Sequence, residues 1–109
     1  MNNIVIFQLI TGIFVTGKKN TELSNHETLY IDGPIEFIDM MTQHGPQKVP
    51  VPYGAGFYDL KLTEKPTMSF SYNNMLTGPL DAPEKIVELW TQMTSIVKPV
   101  ENKIQLATS

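Results

Sequence analysis

The chain opens on Ile4-Val5-Ile6-Phe7-Gln8-Leu9-Ile10-Thr11-Gly12-Ile13-Phe14-Val15-Thr16-Gly17, and this stretch decides the fold. Two apolar, β-branched runs meet at one glycine, Gly12, which reads as a tight hairpin. Gly17 stands where the outgoing strand has to bend. In the first run Val5, Phe7 and Leu9 fall on one face while Ile4, Ile6 and Ile10 fall on the other. Both faces are apolar, so one lines a core and the other needs a cover.

Outward from this hairpin the period stays near two until about Met75. Asn20 to Glu27 is a polar connection. Thr28 to Ile31 resumes a strand, Asp32-Gly33-Pro34 breaks or bulges it, and Ile35 to Met40 continues it. Gly45-Pro46 signals a turn, and the alternate prolines of Val49-Pro50-Val51-Pro52-Tyr53 mark an edge strand or extended arm. After the joint Gly54-Ala55-Gly56, the residues Tyr58, Leu60 and Leu62 alternate with Asp59, Lys61 and Thr63 as a further strand. Glu64-Lys65-Pro66 turns the chain. Met68, Phe70 and Tyr72 then alternate with Ser69, Ser71 and Asn73 as a last half-buried strand.

The pattern predicts a single helix, from about Asp81 to Val97. Asp81 sits at an N-cap position with Pro83 in the first turn and Glu84 three residues on. Ile86, Leu89, Trp90, Met93 and Val97 form its apolar stripe opposite Glu84, Lys85, Glu88 and Gln92, and Pro99 ends it. The doubly apolar first strand supplies a surface for that stripe. The expected organisation is one domain over residues 1–109, with strands over about 3–76, the helix over about 81–97 and a tail over 98–109.

A chain of 109 residues buries only about two-thirds of its unfolded surface, and it gains from a partner. The net charge is -3, all eight positive residues are lysines, and there is no arginine. That balance argues against broad electrostatic attraction to nucleic acid and removes the best bidentate reader of phosphate or guanine. The absence of cysteine excludes disulfides, thiolate metal sites and cysteine nucleophiles. The N-terminal stretch lacks a basic leader region, Gln8 interrupts its apolar run, and no stretch reaches the roughly eighteen apolar residues of a membrane span. A soluble, cytoplasmic protein is expected.

Leu9, Gly12, Val15 and Gly17 stand where the first Sm motif has its leucine, two glycines and apolar position, and the chain resembles the Sm-like (LSm) family. It looks similar to divergent Sm-like proteins of tailed phages of marine cyanobacteria. The resemblance implies a mainly β fold: a small, strongly bent five-stranded antiparallel Sm-like barrel, here with one C-terminal amphipathic helix. Thr11 replaces the usual acid or amide before the first glycine. Ser24 lies near the family's aspartate and Thr28 at its RNA-contacting asparagine. The second motif's basic-glycine pair is not recognisable, and Glu64-Lys65-Pro66 is the nearest turn. In the family the fourth strand of one subunit pairs with the fifth of the next, which implies a cyclic homo-oligomer of roughly five to seven copies. A prokaryotic host cytoplasm is the implied setting.

The family's use of these loops points to a non-enzymatic ring that holds single-stranded RNA as a scaffold or chaperone. Its candidate RNA-binding residues are Lys18, Lys19, Asn25, His26, Thr28 and Lys65, with Tyr53 and Tyr58 as candidate base-stacking residues. Lys18 and Lys19 at a strand end also suit solvated edge protection. His26 and His44 lack a third ligand at metal spacing and read as surface histidines. Asp32 and Asp39 have no neighbour that would tune them for acid–base work, so no catalytic residue, metal or cofactor is assigned. The acidic balance and altered motifs keep a second class open: a structural or protein-interaction ring, such as a phage assembly component, that no longer binds RNA.

Overall fold

The computed structural model describes residues 3–55, 57 and 61–95. Six strands make one antiparallel sheet: β1 (Ile4–Leu9), β2 (Phe14–Lys19), β3 (Thr28–Thr42), β4 (Gly45–Pro52), β5 (Thr67–Ser71) and β6 (Met75–Asp81). The spatial order is β4-β3-β2-β1-β6, and β5 also pairs with β3. One helix, α1 (Glu84–Thr94), follows.

The opening hairpin forms as its glycines require. Leu9 N–H donates to Ile13 O and Gly12 N–H to Leu9 O, both at 2.8 Å, with Gly12 at φ +94. At Gly17 the ladder between β2 and β3 slips by one residue. A Cβ there would lie well inside contact distance of the Ile31 Cγ2 methyl and 3.0 Å from Asp32 O. Only glycine lets the two strands approach at that bulge.

Gly33-Pro34 bends β3 without ending it, because Gly33 takes φ +62. Thr28–Asp32 then pairs with β5, and Ile35–Thr42 pairs with β4. The curl of the sheet follows from a short connection, the 3₁₀ turn Tyr72–Asn74. In a flat sheet β5 and β6 would stand four strand spacings apart, about 19 Å. A three-residue 3₁₀ turn advances only about 6 Å. Yet Tyr72 N–H reaches Glu27 O ahead of β3, and Asn74 O accepts from Ile10 N–H just past β1. The sheet must therefore curl on itself.

Inside the curl lie Val5, Phe7, Leu9, Val15, Leu29, Ile31 and Phe70. Phe7 and Tyr53 both meet the Phe70 ring edge-on with centroids 5.1 Å apart. The opposite face of β1 is covered as its sequence requires. Ile4 and Ile35 pack with Leu62 and Trp90, and Ala82, Val87 and Met93 border them. Trp90 Nε1–H donates to Gly33 O at 2.8 Å, which pins α1 onto the bend of β3.

Four expectations need correction. Among the described residues the sheet has six strands and is not closed into a barrel, since no ladder joins β5 to β6. The strand expected through Leu62 ends differently: Leu62–Glu64 is a 3₁₀ turn whose buried Leu62 serves the helix-side core, while Tyr58 to Leu60 lie outside the described residues. Met75–Asp81 is a strand despite Gly78 and Pro79, because an edge strand tolerates a missing donor. Asp81 consequently ends β6 opposite Val5, and α1 starts at Glu84 behind Pro83 with no side-chain cap. Val97, Pro99 and the tail lie outside the described residues.

Candidate functional site

A polar cleft of about 490 Å³ opens at one end of the curled sheet, lined by His26, Glu27, Thr28, Ser71, Tyr72 and Asn73. Two connections build it. From the β2–β3 connection, Asn25 Oδ1 accepts the N–H groups of Glu27 at 2.8 Å and Thr28 at 3.0 Å, an Asx turn that fixes the loop entering β3. From the other side, Ser71 Oγ accepts Asn73 N–H at 3.2 Å and caps the 3₁₀ turn. The Tyr72 N–H bond to Glu27 O, at 3.2 Å, ties the two connections together.

His26 and Glu27 are largely exposed, with His26 Nε2 4.0 Å from Glu27 Oε2. Such a contact contributes little to stability. Among the residues that line the cleft there is no lysine. Hydrogen bonding by amide, hydroxyl and carboxylate is what the lining provides, while Tyr72 packs in part against the core inside the curl.

A second concavity of about 420 Å³ adjoins it at Ser71 and is lined by Leu9, Ile10, Tyr53, Met68 and Phe70 among others. Tyr53 therefore lines the second concavity and not the polar cleft, with its ring against Phe70. Of the loop residues singled out from sequence, His26 and Thr28 line the cleft, and Asn25 shapes the loop behind them through its Oδ1. Lys18 and Lys19 do not form one cluster: adjacent strand residues project to opposite faces, and Lys18 stands opposite Asp32 in the ladder. Lys65 lies two residues before β5, and the strand from Thr67 to Ser71, roughly 13 Å long, separates it from the cleft. Its Nζ is 5.8 Å from the centroid of the Trp90 ring. Tyr58 lies outside the described residues.

The other titratable side chains weighed from sequence are engaged elsewhere. Asp39 pairs with Lys48 at 2.9 Å, and Asp32 accepts from the Thr67 hydroxyl. Among the described residues no three His, Asp or Glu side chains gather as a metal site.

The sequence pattern marks no site residue at Ser71, Tyr72 or Asn73: its alternation carries the strand through Asn73 and puts the turn at Glu64-Lys65-Pro66, whereas β5 ends at Ser71 and the 3₁₀ turn follows at once. The signal for them was Asn73-Asn74 before Met75, a turn-favouring pair.

The fold and cleft define a mainly β chain: a curled antiparallel sheet with one helix on its outer face and a polar cleft at one end. No protein-family model matches the chain, and no match is found among curated proteins. Among the described residues no helix is long and apolar enough to cross a membrane.

Proposed function

We propose that the chain is a divergent Sm-like protein, a non-enzymatic cyclic homo-oligomer that holds single-stranded RNA at the cleft between the β2–β3 connection and the Tyr72–Asn74 turn. One observation carries this reading. The loop that the Sm resemblance assigns to RNA contact, with Asn25, His26 and Thr28, meets an aromatic and an amide from the turn that joins the last two strands. Stacking and base-edge hydrogen bonds are the usual means of holding unpaired bases.

Among the described residues β5 and β6 each pair along one side alone, and these edges support assembly through β5 and β6. Tyr53 N–H donates to Pro34 O at 3.0 Å, so odd-numbered residues of β4 turn their backbone polar groups toward β3. The outward positions are then Pro46, Lys48, Pro50 and Pro52, of which only Lys48 has an N–H. That edge is blunted against pairing. By the same parity, Gly33 N–H to Pro66 O and Tyr72 N–H to Glu27 O leave the N–H groups of Thr67, Ser69 and Ser71 facing outward. A ring of five to seven copies would pair this edge with the β6 of a neighbour. The cytoplasm of a prokaryotic host is the compartment that fits.

A ring that binds protein instead of RNA draws support from exposed Met40 and Met41 on the β3–β4 arm and from the acidic Glu27 in the cleft. Light scattering combined with RNA titration tests the proposal. The expected result is a mass of five to seven subunits together with saturable RNA binding. A 12.3 kDa monomer at micromolar concentration would refute the ring, and an assembled ring that retains no RNA would favour the protein-binding alternative.

A further inference from the structure

Resting on the RNA reading above, we propose that Glu27 makes the cleft select guanine over uracil. The lining holds one carboxylate and no lysine, so phosphate attraction adds little there and base edges decide affinity. Glu27 is held at its backbone on both sides: its N–H by Asn25 Oδ1 and its carbonyl by Tyr72 N–H. Its carboxylate has His26 Nε2 at 4.0 Å, beyond hydrogen-bond reach, which leaves its acceptor positions open to a ligand.

A carboxylate only accepts hydrogen bonds, and it accepts two parallel ones well. Guanine offers two parallel donors on its Watson–Crick edge, the N1–H and the N2 amino group. Adenine and cytosine offer one amino group each. Uracil presents a single N–H between two carbonyl oxygens, both of which a carboxylate repels. Glu27 therefore ranks guanine first and uracil last.

The test is fluorescence anisotropy of the full chain with labelled hexanucleotides of alternating AG, AC and AU sequence at low salt. The AG oligomer should bind at least about fivefold tighter than the AU oligomer, the low end for one bidentate base contact at an exposed site. Glu27→Gln should reduce that ratio below about twofold, because the amide keeps one acceptor and gains a donor that suits uracil. Circular dichroism should show the variant folded, since this side chain is 81% exposed. Equal or tighter binding of AU, or a ratio that survives Glu27→Gln, would overturn the selectivity and leave RNA binding intact. Failure of all three oligomers to bind would overturn the RNA reading together with it.

Discussion

Trp90 is the anchor of α1, and its replacement separates packing from hydrogen bonding. The side chain is 7% exposed against Ile4, Ile35 and Leu62, and its indole N–H is the donor to the buried Gly33 carbonyl. Trp90→Ala removes the ring and leaves a cavity, a loss of about 3–5 kcal/mol. Trp90→Phe keeps most of the volume but withdraws the donor, which orphans Gly33 O at about 1–3 kcal/mol. A domain of this kind has about 5–15 kcal/mol in total, so the alanine variant should lie close to unfolding. Urea unfolding followed by circular dichroism at one fixed protein concentration measures both, with the slope expected to stay constant. A phenylalanine variant within about 0.5 kcal/mol of the parent, or an alanine variant that loses less than about 1 kcal/mol, would refute docking through this side chain.

Three further outcomes are expected. Gly17→Ala forces β2 away from Ile31 and should destabilise by about 1–3 kcal/mol. Gly78→Ala, which meets nothing within 4 Å, serves as the control in the same thermal scan, and equal effects would contradict the close approach at Gly17. Lys65 holds a left-handed conformation at φ +49 beside the Trp90 ring. Lys65→Gly relieves about 1 kcal/mol of strain that Lys65→Ala retains, so the glycine variant should unfold at higher urea than the alanine variant. Replacing Lys18 and Lys19 together by Gln should leave the RNA salt slope unchanged, measured by anisotropy at two or more salt concentrations, because neither lysine lines the cleft, and a slope lower in magnitude by about 0.7 per phosphate would contradict that placement of the RNA.

The hairpin, the bent third strand and the cover over β1 were legible because local signals and global packing agree there. Gly12 and Gly33 supply the positive φ that a tight turn and a bend need, Gly17 lacks the Cβ that a close strand approach forbids, and two-faced apolarity in β1 demands two partners. The strand Met75–Asp81 was not legible, since Gly78 and Pro79 read as breakers until pairing with β1 shows it to be an edge. Asp81 followed it: the acid, proline and Glu84 pattern looks like a cap, yet the ladder claims Asp81 first. Half of the cleft was visible in the loop with Asn25, His26 and Thr28. The other half was hidden because Tyr72 continues the alternation of β5 and only the Tyr72 N–H to Glu27 O bond reveals the turn. The Lys18-Lys19 pair misled for an elementary reason: neighbours in sequence are not neighbours on a strand.

The central claim is that unpaired RNA lies in the cleft between the β2–β3 connection and the Tyr72–Asn74 turn. Ultraviolet cross-linking of a bound single-stranded oligonucleotide, followed by peptide mass spectrometry, tests it most directly. Adducts should concentrate on the peptides that carry His26 and Tyr72. Cross-links confined to the β3–β4 arm or to the helix α1, or an absence of cross-linked RNA at saturating protein, would contradict it.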